Sequence, residues 1–299
     1  MSSVTDALGQ IFQVSAPPRR IVSLVPSETL SVVELVGPAP LLGRTQFCIE
    51  PAGALDSVAV VGGTKSVDVE AVCALAPDLV LANKEENARP AVQALIDRGL
   101  RVHVSFPCTV QESLAYLEDL CLLLHVDAEQ SEALRTVRSA CERLQRPAPL
   151  PLVPVFVPIW KDPWMTFDGR VYASDLLERC GAHNVFSGRP RLYPLSADLG
   201  ESAPQPERRV VGRDTRYPRT RIEEALGRGA KAILLPDEPY AFSEADAVAL
   251  RAEIAGSGCL VEPIDGKMLF WYGTQLARAV DSLIGQIARL SGRLRDGGG

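Results

Sequence analysis

Short apolar runs alternate with helical patterns along most of this chain. Residues 20–25 (RIVSLV) form an apolar run closed by Pro26, and Ser27-Glu28-Thr29 then opens a helical pattern through Leu30, Val33, Leu35 and Val36. Strand, turn and helix are predicted in that order. The alternation recurs: an apolar run at 58–61 before Gly62-Gly63, a helix over 67–76, a strand over 79–82, a helix over 89–98 ended by Gly99, and a strand over 100–106 closed by Pro107. Such alternation predicts an α/β fold with a doubly wound parallel sheet.

From Thr109 to Arg146 there is neither proline nor glycine, and apolar residues recur at helical spacing through Leu114, Leu117, Leu120, Leu124, Leu134, Val137 and Leu144. One or two long helices are predicted, with 128–146 running about 28 Å if it is a single helix. A strut joining two lobes is the natural use of such a stretch. After Pro147 the pattern begins again, with strands at 152–159, 231–235 and 259–264, helices at 172–180, 220–228, 243–255 and 274–293, and a polar segment at 187–219. The expected layout is an N-terminal segment (1–18), a first α/β lobe (19–108), a linking backbone helix (109–148) and a second α/β lobe (149–299). The halves also match locally, since VEAVCALAPDLVLANKEE at 69–86 lies without gaps over IEEALGRGAKAILLPDEP at 222–239. That match pairs helix with helix and strand with strand, and sets Glu70 opposite Glu223.

Composition narrows the function. A chain of 299 residues is long enough for two lobes, and 46% hydrophobic with 23% charged residues is ordinary for a globular protein. The net charge of -6 and the lack of a basic stripe argue against nucleic-acid binding. Seven scattered cysteines without CxxC spacing predict neither a disulfide framework nor a zinc knuckle, and Cys73, Cys121 and Cys141 read as small buried hydrophobes. Residues 1–18 hold Asp6, no basic residue and only scattered hydrophobes, so no export signal is expected there; nor does a cysteine precede Cys48 to carry a lipid.

Enzyme signatures of doubly wound sheets are missing. There is no GxSxG elbow and no GxGxxG after the first strand, and the run Gly62-Gly63-Thr64-Lys65-Ser66 has Thr64 and Ala59 where a phosphate loop needs glycine. His103, His125 and His183 fall in different predicted elements, so no metal site is expected, and His103 reads as a core or cleft-edge residue on a strand.

From residue 19 onward the chain resembles the class III, helical-backbone periplasmic binding proteins of ABC transporters, the family of cobalamin and iron-chelate receptors. The resemblance rests on RRIVSLVPSETL at 19–30, GRTQFCIEP at 43–51, VGGTKSVDVEAVCALAPDLVLA at 61–82, and the run from Trp160 through CGAHNVF at 180–186. It implies two lobes with a ligand cleft between them, contacted by loops at the carboxyl ends of strands, where open α/β sheets generally bind. In the first lobe that rule selects Pro26, Ser27, Glu28, Phe47, Thr64, Lys65, Asn83 and Lys84, with Phe47 falling where similar receptors pack an aromatic on the corrin. In the second lobe it selects Trp160, Trp164, Tyr217, Asp237, Tyr240 and the stretch from Lys267 to Trp271. The resemblance further implies one exposed glutamate per lobe docking on the permease, here Glu70 and Glu223.

The expected function is therefore a binding protein, not an enzyme, with no covalently held cofactor. Its ligand is expected to be cobalamin or a related corrinoid, delivered by a monomer to an ABC transporter permease. A ferric siderophore or haem is the alternative ligand. The missing export signal favours a cytosolic chelate sensor or carrier as an alternative role, and an α/β enzyme using Asp237, Glu238 and Lys267 is the remaining alternative. The segment 187–219 is longer than the corresponding family connection and rich in proline and arginine, which predicts a lid or a mobile stretch that helps select the ligand.

Overall fold

The computed structural model describes residues 3–145 and 151–296; the end of the expected linking stretch (146–148), the start of the expected second lobe (149–150) and both extreme termini lie outside the described residues. Contacts divide the chain into two compact units. Unit 1 holds Met1–Cys141 with Trp271–Ala277, and unit 2 holds Glu142–Phe270 with Arg278–Gly299.

Unit 1 opens with an antiparallel hairpin, β1 (Ser3–Thr5) and β2 (Ile11–Gln13), whose paired Val4 and Phe12 are both buried. Asp6 shapes its turn: Oδ1 accepts from the Leu8 and Gln10 N–H groups, while Oδ2 accepts from Val104 N and so ties the hairpin to the sheet. The sheet comprises β3 (Ile21–Ser23), β4 (Leu41–Arg44), β5 (Ala59–Val60), β6 (Leu79–Asn83) and β7 (Val102–Ser105), in the order β5-β4-β3-β6-β7 with every pair parallel. Its helices are α1 (Pro26–Val36), α2 (Val69–Ala74), α3 (Arg89–Asp97), α4 (Val110–Leu123) and α5 (Glu132–Leu144). Every residue of β3, β6 and β7 is buried. Helices cover both faces of a parallel sheet, which is why these strands read as continuous apolar runs instead of alternating. Local chemistry starts the helices: the Asp68 side chain accepts from Ala71 N, and Thr109 from Glu112 N.

The stretch expected to hold one or two linking helices contains two, α4 and α5, separated at 124–131. His125 takes a positive φ of 57°, the Asp127 carbonyl accepts from Gln130 and Ser131, and Ser131 Oγ accepts from Leu134 N. Aspartate and serine side chains here offer the backbone bonds that compete with a continuous helix, a break the apolar spacing alone does not show.

Unit 2 repeats the plan. Its sheet comprises β8 (Val153–Phe156), β10 (Ala182–Asn184), β12 (Ala232–Pro236) and β13 (Leu260–Ile264), in the order β10-β8-β12-β13 and again parallel throughout. Two short strands, β9 (Trp164–Met165) and β11 (Arg219–Thr220), form a separate antiparallel ribbon. The helices are α6 (Tyr172–Arg179), α7 (Leu195–Asp198), α8 (Ile222–Gly227), α9 (Glu244–Glu253), α10 (Gly266–Phe270) and α11 (Leu276–Asp296). The internal sequence match holds in the fold: shifted by the same 153 positions (222 minus 69), α2 falls on α8 and β6 on β12. β6 also lies between β3 and β7 as β12 lies between β8 and β13, so the matched segments occupy the same place in their own sheets.

The segment 187–219 is neither uniform nor simply draped. Asp198, 1% exposed, gathers it: the carboxylate pairs with Arg189 and accepts from the Leu192 N–H at 2.8 Å and the Arg219 N–H at 2.6 Å.

The return of the chain to unit 1 at Trp271–Ala277 is fastened by a buried polar cluster. Tyr272 Oη donates to Glu28 Oε1 at 2.7 Å, Ser105 Oγ donates to the same oxygen, and Asn83 Nδ2 donates to both Ser105 Oγ and Tyr272 Oη at 3.0 Å. Gly273 N donates to Ser113 Oγ and Thr274 N to Ser31 Oγ. Burial pushes the Glu28 carboxyl up to about 8, against the lowering effect of the Ser105 and Tyr272 hydroxyls. Glu28 is therefore neutral at pH 7.

Two outcomes are expected. Gly273 sits at φ +75°, and a Cβ there would run into Ser31 Oγ. Gly273→Ala should cost about 2–4 kcal/mol in urea unfolding, by strain and by displacing this anchor. Between about pH 4.5 and pH 8 the unfolded chain gives up the Glu28 proton while the folded protein keeps it, so stability should fall as pH rises through that window, by up to about 5 kcal/mol, and level off above it. Glu28→Gln, which mimics the neutral acid, should remove that slope and raise stability at pH 8, as read by unfolding curves across the range.

Candidate functional site

Parallel pairing sends the loops after all strands of a sheet to one edge, and most of the residues selected from the sequence lie on those loops. In unit 1, Phe47 follows β4 and is 52% exposed. Its ring rests on Gly63, where an added Cβ would lie 3.2 Å from Phe47 Cε2 and 3.0 Å from Ser66 Oγ. The loop beneath it is held by Arg44, whose Nε donates to the Leu55 carbonyl and Nη1 to that of Cys48, and by the buried Thr45–Cys48 contact. Thr64 is half-buried, its carbonyl accepting from Asn87 Nδ2 at 3.0 Å, and the exposed Lys65 donates to the Glu85 carbonyl. Phe47, Thr64 and Lys65 are thus brought together on one edge.

Other residues selected from unit 1 turn inward. Ser27, Glu28 and Asn83 are 3%, 0% and 2% exposed. Asn83 spends its amide on Ser105 and Tyr272 and its carbonyl oxygen on the Glu85 and Glu86 N–H groups, so it builds the turn after β6 instead of presenting a side chain there. Glu28 belongs to the anchor described above. Trp271 is likewise corrected from an exposed contact to a buried residue, 7% exposed, drawn in beside the fastened Tyr272. His103 is 3% exposed, edge-on to Phe12 at 5.3 Å, and burial pushes its imidazole down to about 4. It is a core residue.

In unit 2 the selected aromatics assemble. Trp160, 48% exposed, stands edge-on to Tyr240 at 5.2 Å; Tyr240 leans on Phe242 at 4.6 Å; and Phe242, nearly buried, stacks on Trp164 at 5.8 Å with 12° between the planes. Four rings therefore run from the core of the unit to its surface, and Trp160 is the outermost. Trp164 and Tyr240 pack against the core cluster that contains Phe156, Ile233 and Leu235. Phe242 escaped the sequence reading, although its place two residues beyond Tyr240 is the available signal. Lys161 escaped it as well. It pairs with Asp246, which also caps α9 through Ser243, and these donors hold the Asp246 carboxyl well below the usual carboxylate range. That pair pins the Trp160 loop to α9.

Tyr217 is half-buried under the Arg216 guanidinium at 5.4 Å. Lys267 is half-buried in α10, and the exposed Asp237 accepts from Gly266 N at 2.8 Å, which joins the loops after β12 and β13.

Glu70 and Glu223 are both exposed in the first turns of α2 and α8, where a helix dipole favours acids. Glu70 is not a lone carboxylate, because Arg98 pairs with it; both side chains are well solvated, so the pair adds little stability. Among the described residues no three His, Cys, Asp or Glu side chains cluster as metal ligands, and all seven cysteines are free. No helix among them is long and apolar enough to cross a membrane.

Known proteins share this organisation. The vitamin B12-binding protein of Photorhabdus laumondii is 26% identical over 183 residues, which span 60% of this chain and 65% of that relative, just short of two thirds of its length. The vitamin B12-binding protein of Vibrio campbellii is 25% identical over 199 residues, 65% of this chain and 72% of the relative. Among solved structures, the periplasmic vitamin B12 binding protein BtuF of Vibrio cholerae superposes with a TM-score of 0.66 at 18% identity, covering 92% of this chain and 98% of that one. The periplasmic heme-binding protein BhuT, in complex with two hemes, superposes with a TM-score of 0.68 at 18% identity over 92% and 99%. At such identities the structures show the shared fold. The family model for periplasmic binding protein matches residues 21–207, more than half of the 299, and the chain belongs to that family, one of binding proteins and not of enzymes.

Proposed function

We propose that this chain is a substrate-binding protein for a flat metal chelate, a corrinoid first, which it hands to an ABC transporter permease. The observation that carries the reading is the exposed indole of Trp160 backed by Tyr240, Phe242 and Trp164, with the exposed ring of Phe47 seated on Gly63 at the corresponding edge of unit 1. An exposed aromatic with rigid backing has already given up its rotamer freedom, so covering it with a ligand costs little ordering. About 100 Å² of such a ring covered, at ~25 cal/mol per Å², contributes roughly 2–3 kcal/mol. The names of the vitamin B12-binding relatives support a corrinoid, and those of the heme-binding structural neighbours support haem as the second ligand to try.

Titration with cyanocobalamin, haem and ferric siderophores, followed by Trp fluorescence and melting temperature, is expected to give saturable binding of one chelate and a rise in Tm, since a ligand that binds only the folded protein stabilises it. Trp160→Ala and Phe47→Ala should each weaken that binding about 10- to 100-fold, whereas Trp271→Ala, a change in the interior, should lower Tm in the absence of ligand. Absence of binding to every chelate would overturn the reading.

Glu70 and Glu223 are proposed as the permease-docking residues, because both are exposed and solvated charges act mainly on orientation and association rate. Reversing both, Glu70→Arg with Glu223→Arg, should leave chelate affinity unchanged and slow delivery to permease-containing proteoliposomes at least tenfold.

A further inference from the structure

The arginine-rich stretch leading to β11 is built around a tyrosine in an unusual way. The Tyr193 hydroxyl donates to the Asp214 carbonyl at 2.8 Å and its own carbonyl accepts from Gln205 N at 2.7 Å, so the ring is held from both ends. Two guanidinium groups lie over that one ring, Arg191 at 4.4 Å and Arg213 at 4.9 Å. Three of the four acids of residues 187–219 are engaged elsewhere, Asp198 by Arg189, Glu201 by Arg221 and Asp214 by Arg216, and the fourth, Glu207, is exposed. Among the described residues, no carboxylate lies within ion-pair distance of Arg191 or Arg213. Arg219 completes the group. Its Nη1 donates to the Tyr217 carbonyl, and burial together with the nearby Arg191 charge, against the opposing pull of Asp198, moves its pKa down from the usual guanidinium value.

Register connects these cations to the exposed indole. Met165 bridges Trp160 on one side and pairs with Arg219 on the other, in antiparallel register both times. Residues paired across antiparallel neighbours project to the same side at about 5 Å per step, so Trp160, Met165 and Arg219 stand in one row with its ends about 10 Å apart. The row leads from an aromatic plate to a group of guanidiniums. Guanidinium forks match carboxylate and phosphate oxygens in pairs, and an anion among like charges also relieves their repulsion.

We infer that Arg191, Arg213 and Arg219 bind an anionic group, a carboxylate or phosphate, carried by the flat ligand that stacks on Trp160; the link to that ligand rests on the stacking role proposed above. The site selects chelates with an acidic substituent about one ring-width from the stacked plane over neutral analogues. It also gives the long 187–219 segment a purpose, since the Asp198 hub that gathers this segment also accepts the Arg219 N–H.

The test uses the full chain at constant ionic strength. Citrate and pyrophosphate serve as carboxylate and phosphate probes with chloride as control. One of the two should raise the wild-type Tm by about 2–4 °C at millimolar concentration, and Arg191→Gln with Arg213→Gln should abolish the rise. Arg191→Lys with Arg213→Lys, which keeps the charge but not the fork, should retain part of it and guards against a folding defect. In parallel, haem is compared with its dimethyl ester and cyanocobalamin with dicyanocobinamide, which lacks the phosphate-linked nucleotide. The wild type should prefer the anionic or phosphate-bearing member of the pair it binds at least tenfold, and the Gln variant should lose that preference. A Tm rise equal in wild type and Gln variant, or no rise with either anion, overturns the guanidinium site. Equal binding of both members of a pair by the wild type overturns its role in ligand choice while leaving the chelate reading intact. An anion effect abolished in the Gln variant, with no chelate bound, supports the guanidinium site and overturns the stacking ligand.

Discussion

Parallel strand pairing is the constraint on which the rest of this structure depends. A parallel ladder cannot be closed by tight turns, so each strand is followed by a crossing segment, usually helical, and the helices bury both faces of the sheet. The interior of each sheet is then mostly apolar, as the fully buried β3, β6 and β12 show, and the polar residues that β3 and β6 do carry, Ser23 and Asn83, are taken up by internal hydrogen bonds. What remains is the edge at which the strands end. In unit 1 Phe47 follows β4, and in unit 2 Trp160 follows β8 and Tyr240 follows β12, each presented at the carboxyl edge of its own sheet because the strands of that sheet are parallel.

Those edges are made rigid by side chains that bond to the backbone. Asp6 closes the first hairpin and reaches the sheet, Asn83 and Asn87 shape the turn after β6, and Asp198 gathers three separate groups of the long segment in unit 2. Each supplies acceptors or donors to N–H and carbonyl groups that a loop would otherwise leave to solvent. The exposed rings gain from this stiffness. Lys161 and Asp246 hold the Trp160 loop against α9, so the indole is displayed on a fixed support and its stacking surface is preformed.

Polar residues on the two kinds of loop have divided into two roles. Ser105, Tyr272 and Asn83 bond to one another and to one oxygen of Glu28 out of contact with water, at the cost of keeping an acid neutral, and they fasten the segment at 271–277. Arg191 and Arg213 instead keep their charges near the surface over Tyr193 without an acidic partner among the described residues. The first arrangement contributes to structure, whereas the second has electrostatic capacity left for a ligand.

The sequence by itself determined the alternation of strands and helices, because burial on both faces writes each strand as an apolar run and each turn as a proline, glycine or capping residue. It also determined the internal correspondence, with α2 and β6 falling on α8 and β12 residue for residue. Local pattern did not show the β1–β2 hairpin, where a single buried residue per strand leaves almost no periodicity, and it left open one helix or two after Thr109, a choice decided where Asp127 and Ser131 bond to nearby backbone. Only the tertiary structure decided which loop residues face outward. Ser27, Glu28, Asn83 and Trp271 occupy the same kind of strand-end position as Phe47 and Trp160, yet they are buried. Glu28 meets partners 77 and 244 residues away in sequence. The direction a side chain takes at the end of a strand is set by such distant partners, and no local spacing of hydrophobic and polar residues records them.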